Sequence, residues 1–252
     1  MAAILAVHAH PDDIEHLAAG SLAILAAKGQ AIRIATLTAG ECGSASTDLS
    51  ETARIRKAEA ATAAALLGAE YRCGDLPDLG VFNDDASRRA VTELIRWARP
   101  DVVITASPAD YHPDHEAASQ LVRDACFAAS VPNYRTGPSA ALEAIPHLYF
   151  MDPIGGRDRE GTRIVADFGA DIGQGFAMKQ QMLSAHVSQA QWVARQHGIA
   201  DRLGAMEAWS RRRGRDFGVA FAEGFRQYRR EPYPKTPLLQ DLLAEALVTP
   251  AT

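Results

Sequence analysis

The chain contains no stretch approaching the ~20 consecutive apolar residues that a helix needs to span a bilayer, so a transmembrane segment is not expected. Its first residues carry no basic cluster, and the apolar run that opens it breaks at His8, too early for a secretory signal. Cysteine is scarce. Cys42, Cys73 and Cys126 are odd in number and lack CxxC spacing, which argues against a disulfide scaffold or a zinc knuckle and fits a reducing cytoplasm. Positive charge is not in excess either: a formal net charge of −5 argues against binding nucleic acid by phosphate neutralisation. There is no internal repeat, no GxGxxG and no Walker lysine, so nothing marks a nucleotide site. What the chain does have is an ordinary globular composition, 47% hydrophobic over 252 residues, enough for one α/β domain with a sizeable core.

The stretch that organises the rest is the first one, from Met1 to Leu17. An apolar run, Ala2 to Val7, reads as a buried strand and ends in His8-Ala-His10-Pro11-Asp12-Asp13-Ile-Glu15-His16. Pro11 stops a strand because it has no N–H for the ladder. Asp12 and Asp13 can then cap a helix with the apolar stripe Ile14, Leu17, Ala18, Leu22 and Leu25. Polar groups at the C-terminal mouth of a strand lie where ligands bind in open α/β sheets. His10 and Asp13, within one turn, offer a neutral nitrogen and a carboxylate oxygen to a shared point, which suits a divalent metal such as zinc. Asp12 between them is a spare carboxylate, suited to be a general base beside a metal-activated water. The plainer alternative is that all three are turn and cap residues.

The pattern then repeats. The first helix should end near Lys28-Gly29, and Ala31–Leu37 should be a second strand of a βαβ unit. Thr38–Ser46 is a small-residue loop, read equally as a mobile lid or a substrate loop. A helix beginning at Ser50 carries Arg54, Arg56 and Lys57, either as a solvated face or with one arginine reaching a polar substrate. Glu70–Cys73 is a short strand, Leu76-Pro77-Asp78-Leu79-Gly80 a turn, and Ala86–Ala98 a helix ended by Pro100. Asp101–Thr105 is a buried strand that empties into Asp110-Tyr111-His112-Pro113-Asp114-His115-Glu116 and a helix from Glu116 to Ala128. His115 can be the third ligand, completing a His/Asp/His set with an open position, the pattern of a catalytic site. His112 can stay off the metal as an acid or oxyanion stabiliser, with Asp114 placed to orient it by hydrogen bond.

Together, Ala9-His10-Pro11-Asp12-Asp13-Ile14-Glu15 and Tyr111-His112-Pro113-Asp114-His115 resemble the paired signature of the PIG-L/LmbE-like metal-dependent deacetylases. Ile55–Glu59 with Leu66-Leu67-Gly68, Leu76-Pro77-Asp78, Lys179, His186-Val-Ser188-Gln189 and Gly218–Phe225 extend the likeness to about Phe225. The resemblance implies a Rossmann-like, mostly parallel sheet with helices on both faces, and removal of an N-acetyl group, typically from an N-acetylglucosamine conjugate. By position it makes His10, Asp13 and His115 the metal ligands and Asp12 the base. His112, oriented by Asp114, would stabilise the tetrahedral intermediate or protonate the leaving amine, and Arg56 would contact sugar hydroxyls. Zinc is the implied metal, and the donor set also accepts iron(II). A related amidase or a metal-assisted hydratase is the alternative on the same fold. One departure stands out: some relatives use a tyrosine ahead of the C-terminal segment. Here no tyrosine lies between Tyr149 and Tyr228, and Arg202 or His186 is the candidate replacement.

Beyond these motifs, Pro146–Phe150 and Arg163–Asp167 read as late strands, and a helix from Ala177 carries His186. His8 and His16 are packing or supporting groups. Arg211–Arg215 is a solvated helix end, or else a grip for an acidic aglycone. The expected division is a domain over 1–227 and a tail over 228–252. The tail's short helix, Leu238–Leu247, would bring its leucines to a subunit interface of a homo-oligomer.

Overall fold

In the computed structural model, which describes residues 1–250, strand β1 (Ala3–His8) is the centre of the parallel part of the sheet. Its two-residue period sends Ile4 and Ala6 to one face and Leu5 and Val7 to the other, and all four are buried. A strand covered on both faces belongs in the interior of a parallel sheet. β1 pairs in parallel with β2 (Ala31–Thr38) on one side and β4 (Val102–Thr105) on the other. β3 (Glu70–Leu76) continues beyond β2 and β5 (His147–Met151) beyond β4, so five parallel strands run in the order 3-2-1-4-5. Three antiparallel strands complete the sheet next to β5: β7 (Ala222–Gln227), β6 (Phe168–Asp171) and β8 (Leu247–Val248).

Helices cover both faces, as expected. The Ile4 side is packed by α1 (Asp13–Leu17), α2 (Ala19–Ala27), the end of α3 (Leu49–Ala65) and α6 (Phe176–Ser184). The Leu5 side is packed by α4 (Asp85–Ala98) and α5 (Pro113–Ala129). Two more helices, α7 (Gln189–His197) and α8 (Arg202–Phe217), lie between β6 and β7 in sequence. Full burial of Leu22 and Leu25 stabilises the fold by about 1.5–3 kcal/mol each. No helix among the described residues is long and apolar enough to cross a membrane.

The chain leaves β1 toward β2 on one side and reaches β4 on the other, so a crevice opens between the C-terminal ends of β1 and β4. Such a reversal of strand order is where α/β sheets bind ligands. Both histidine-rich stretches fall at that crevice.

Three expectations are corrected. The first helix is two: Ala18 breaks it, and the Glu223 carboxylate accepts the backbone N–H groups of Gly20 (3.0 Å) and Ser21 (2.7 Å) at the new start. The strand expected at 163–167 lies at Phe168–Asp171 instead. There Phe168 and Ala170 are buried and paired with β7, whereas Val165 faces solvent. The leucines expected to seek a partner subunit find cover within the chain. Leu239 and Leu243 of α9 (Leu238–Leu243) are fully buried in the same core, and β8 pairs with β6. The segment after residue 228 is thus packed into the sheet's own layers; its last two residues lie outside the described ones.

Candidate active site

The loop after β1 and the start of α5 bring three lone-pair atoms to one point. His10 Nδ1, Asp13 Oδ2 and His115 Nε2 form a triangle with all three edges at 3.3 Å. Donor atoms about 2.0–2.1 Å from a tetrahedral zinc are about 3.3–3.4 Å apart, so the triangle has the size of a three-protein-ligand metal site. Three converging lone pairs repel one another unless a cation lies among them. A grouping that includes His8 fits less well. His8 Nδ1 stands 2.6 Å from Asp13 Oδ2, a hydrogen-bond distance, too short for two ligands of one ion.

Behind each ligand stands a group that fixes it. His10 Nε2 lies 3.1 Å from Asp78 Oδ1 and 3.3 Å from Asp114 Oδ2, which holds the proton on Nε2 and turns the Nδ1 lone pair inward. His115 Nδ1 lies 3.1 Å from Asp110 Oδ1, with the same effect on its Nε2. Asp13 Oδ2 also accepts the His10 backbone N–H at 2.9 Å. Burial would lower the His10 imidazole, but the carboxylates of Asp114, Asp13 and Asp78 outweigh it and hold it well above its ordinary value. Burial would raise Asp13, and the surrounding histidines hold it well below the carboxylate range.

Asp12 occupies the N-cap position of α1 without capping it. Its backbone is left-handed, φ +91°, a region that costs a non-glycine residue energy and that is over-represented at functional sites. The side chain is thereby turned toward the cleft, where Oδ2 accepts from Arg202 (3.0 Å) and Oδ1 lies 3.8 Å from Arg56. Burial raises its pKa despite the two arginines and His186.

His112 is the N-cap of α5: its Nδ1 accepts the Asp114 backbone N–H at 3.2 Å, and Pro113 follows at the first helical position. That bond places the proton on Nε2, leaving a donor for the cleft. Burial and the neighbouring His10 and His115 push the ring down to about 4, so it is neutral near pH 7. The expectation that the Asp114 carboxylate orients His112 is not met. That carboxylate accepts the Leu79 N–H (2.8 Å) and faces His10, and only the Asp114 backbone engages His112.

Arg56 is buried and spends its guanidinium on backbone carbonyls, Gly40 O at 2.6 Å and Pro11 O at 2.8 Å. It therefore ties the β2 loop to the motif loop at the cleft floor, where it also lines the cleft. Arg202 reaches the site from α8, bridging Asp12 to the His186 carbonyl (2.7 Å). His186 Nε2 lies 3.2 Å from Glu15 Oε1, beneath the cleft. Arg211–Arg215 are elsewhere: Arg213 is buried against Asp152 (3.0 Å) and Asp216 (2.7 Å), and Arg211 pairs with Glu207. The alternative reading of these arginines, a grip for an acidic aglycone, is not met at the cleft.

The whole opens into a cleft of about 840 Å³, polar at the triangle and walled opposite by Leu183, Trp192, Val193 and Ile199. Sequence reasoning gave Asp78, Asp110 and Trp192 no role. The first two follow the C-terminal ends of β3 and β4, and strand-tip carboxylates were the available signal. Nothing local marked Trp192.

A sequence model of the family described as PIG-L: GlcNAc-PI de-N-acetylase matches residues 5–126, the span that holds every residue of the triangle. Just under half of the chain thus resembles the PIG-L family. It is 28% identical over 158 residues to a 4-oxalmesaconate hydratase of Pseudomonas putida, a match covering 59% of this chain and 60% of that protein. It is 26% identical over 234 residues to a 1D-myo-inositol 2-acetamido-2-deoxy-alpha-D-glucopyranoside deacetylase of Corynebacterium efficiens, covering 79% of this chain and 75% of the other. Among solved structures, the conserved protein TT1542 from Thermus thermophilus superposes with a TM-score of 0.73 at 28% identity, covering 94% of this chain and 100% of that one.

Proposed function

We propose that this chain is a metal-dependent N-deacetylase acting on a small N-acetylated amino-sugar conjugate. The observation that carries the reading is the 3.3 Å triangle of His10, Asp13 and His115 with the strained Asp12 beside it. These three residues would hold the ion, with zinc or iron(II) suited to two imidazoles and a carboxylate. When bound, a divalent ion there would acidify a water and polarise an acyl oxygen.

The chain's own groups supply the rest. Asp12 accepts the proton of the attacking water, and Arg202 holds that carboxylate in position. The neutral His112 donates its Nε2–H to the oxygen on which negative charge develops. Asp12, having taken the proton, returns it to the departing nitrogen, so amide and water yield amine and acetate.

The test measures acetate release from N-acetylglucosaminyl conjugates before and after chelation and with zinc or iron(II) restored. Chelator-sensitive release that disappears in Asp12→Ala supports the reading, and an Asp12→Ala protein with full turnover sinks it. Likeness to the hydratase supports a second reading, metal-assisted addition of water to an unsaturated substrate. Metal-dependent turnover of an unsaturated dicarboxylate, with no acetate from any amide, would select it.

A further inference from the structure

The far wall of the cleft is built by one face of α7. Gln189, Trp192, Val193 and Gln196 all line the cleft, and their spacing of i, i+3, i+4 and i+7 is that of a single helix stripe. The stripe is polar at its two ends and apolar in the middle. Trp192 and Val193 are only half-buried, although they sit in a concavity, and Ile154, Leu183 and Ile199 extend their surface. Concave apolar surface continuous with a polar reactive end is the usual form of a small-molecule site.

The wall is also held in place. Glu59 of α3 accepts the Ser188 N–H (2.8 Å) and Oγ–H (2.6 Å) at the start of α7, and Gln189 Nε2 reaches Gly43 O at 3.4 Å. Among the described residues, the two arginines that line the cleft already have partners. Arg56 is committed to Gly40 O and Pro11 O, and Arg202 to Asp12 and His186 O.

We infer that the substrate's portion remote from the acetamide carries an apolar, ring-sized group that seats on Trp192. This deepens the deacetylase reading and rests on it for the identity of the reacting end. Trp192 is the specificity-determining residue, since its flat ring gives large apolar contact area with few rotors to order.

The experiment has two arms, both on the full chain. In the first, kcat/KM for acetate release is compared between the phenyl and methyl glycosides of N-acetylglucosamine, in the wild type, Trp192→Phe and Trp192→Ala. The expected phenyl-to-methyl ratio is about 10 or more, kept by Trp192→Phe and collapsed by Trp192→Ala, chiefly through KM. A ratio near one in the wild type, or one unmoved by Trp192→Ala, overturns the inference. In the second arm, tryptophan fluorescence is titrated with phenyl glucoside, which has no acetyl group. A saturable response lost in Trp192→Phe supports the apolar seat even if no amide is turned over, in which case only the deacetylase reading fails. No such response, or phenyl glucoside binding in Trp192→Ala as tight as in the wild type, overturns the seat whatever the activity.

Discussion

Replacing Asp110 by asparagine should weaken zinc binding about 10–100-fold, or about 1.4–2.7 kcal/mol. Asp110 is fully buried, and its carboxylate is the one group behind His115, with Oδ1 3.1 Å from Nδ1. Asparagine keeps the shape and an oxygen to accept the His112 N–H, a 3.1 Å bond, so the loop geometry should survive. What is lost is the negative charge that pins the proton on Nδ1 and enriches the Nε2 lone pair. His10 offers an internal comparison, because two carboxylates share its Nε2, Asp78 at 3.1 Å and Asp114 at 3.3 Å. Removing either leaves the other in place, so Asp78→Asn and Asp114→Asn should each weaken binding less than about 10-fold, and the double variant at least as much as Asp110→Asn. Competition against a chromophoric zinc chelator measures all four, with thermal melts of the metal-free proteins as the folding control. Wild-type affinity in Asp110→Asn, or equal losses in Asp78→Asn and Asp110→Asn, would refute the reasoning.

Lys179 and Glu223 form a fully buried ion pair, and Lys179 also donates to His16 O at 2.7 Å, so Lys179→Met strands a buried carboxylate. It should cost about 3–5 kcal/mol in urea unfolding and lower Tm by roughly 6–20 °C, whereas an unchanged midpoint would mean the pair is not formed. Gly40 has φ +67°, and a Cβ there would meet Arg56 Nη1 at 1.9 Å. Gly40→Ala should therefore destabilise the fold by about 1–3 kcal/mol and loosen the cleft floor, visible as faster amide exchange in the loop after β2. Burial, with Lys179 next, pushes His16 down to about 3. The folded state then stays unprotonated where the unfolded chain takes up a proton, and stability falls as pH drops from about 6.5 toward 3. His16→Gln should flatten that acid limb by about one proton, and an unaltered slope would count against the shift.

The hydrophobic pattern made the parallel half of this fold legible. Apolar runs such as Ala2–Val7 and Val102–Ile104 are too short for helices and too apolar for a sheet edge, and each ends in a cluster of His and Asp. Chemistry at a strand tip needs both a rigid strand and an abrupt stop, and Pro11 and the residues before Pro113 write that stop into the sequence. The antiparallel half was harder to read. Strand Phe168–Asp171 exists because β7 pairs with it, and no local period separates it from Arg163–Asp167. The same holds for the tail, whose leucines are apolar whether they meet another subunit or their own sheet.

His10, Asp12, Asp13, His112 and His115 were readable as reactive because their residue types and spacing are unusual at two strand ends. Which nitrogen of each ring faces inward was not readable. For His10 that depends on Asp78 and on Asp114, the latter 104 residues away in sequence, and for His115 on Asp110 across a turn. Arg202, named in the sequence only through the resemblance, and Trp192 reach the site because α7 and α8 fold back over the β1–β4 crevice, a contact no window of sequence contains. Residue chemistry by itself determined what can react here. Tertiary packing decided the orientation of each reacting group and the shape of the wall it faces, because hydrogen-bond direction and concavity are properties of neighbours brought together in space.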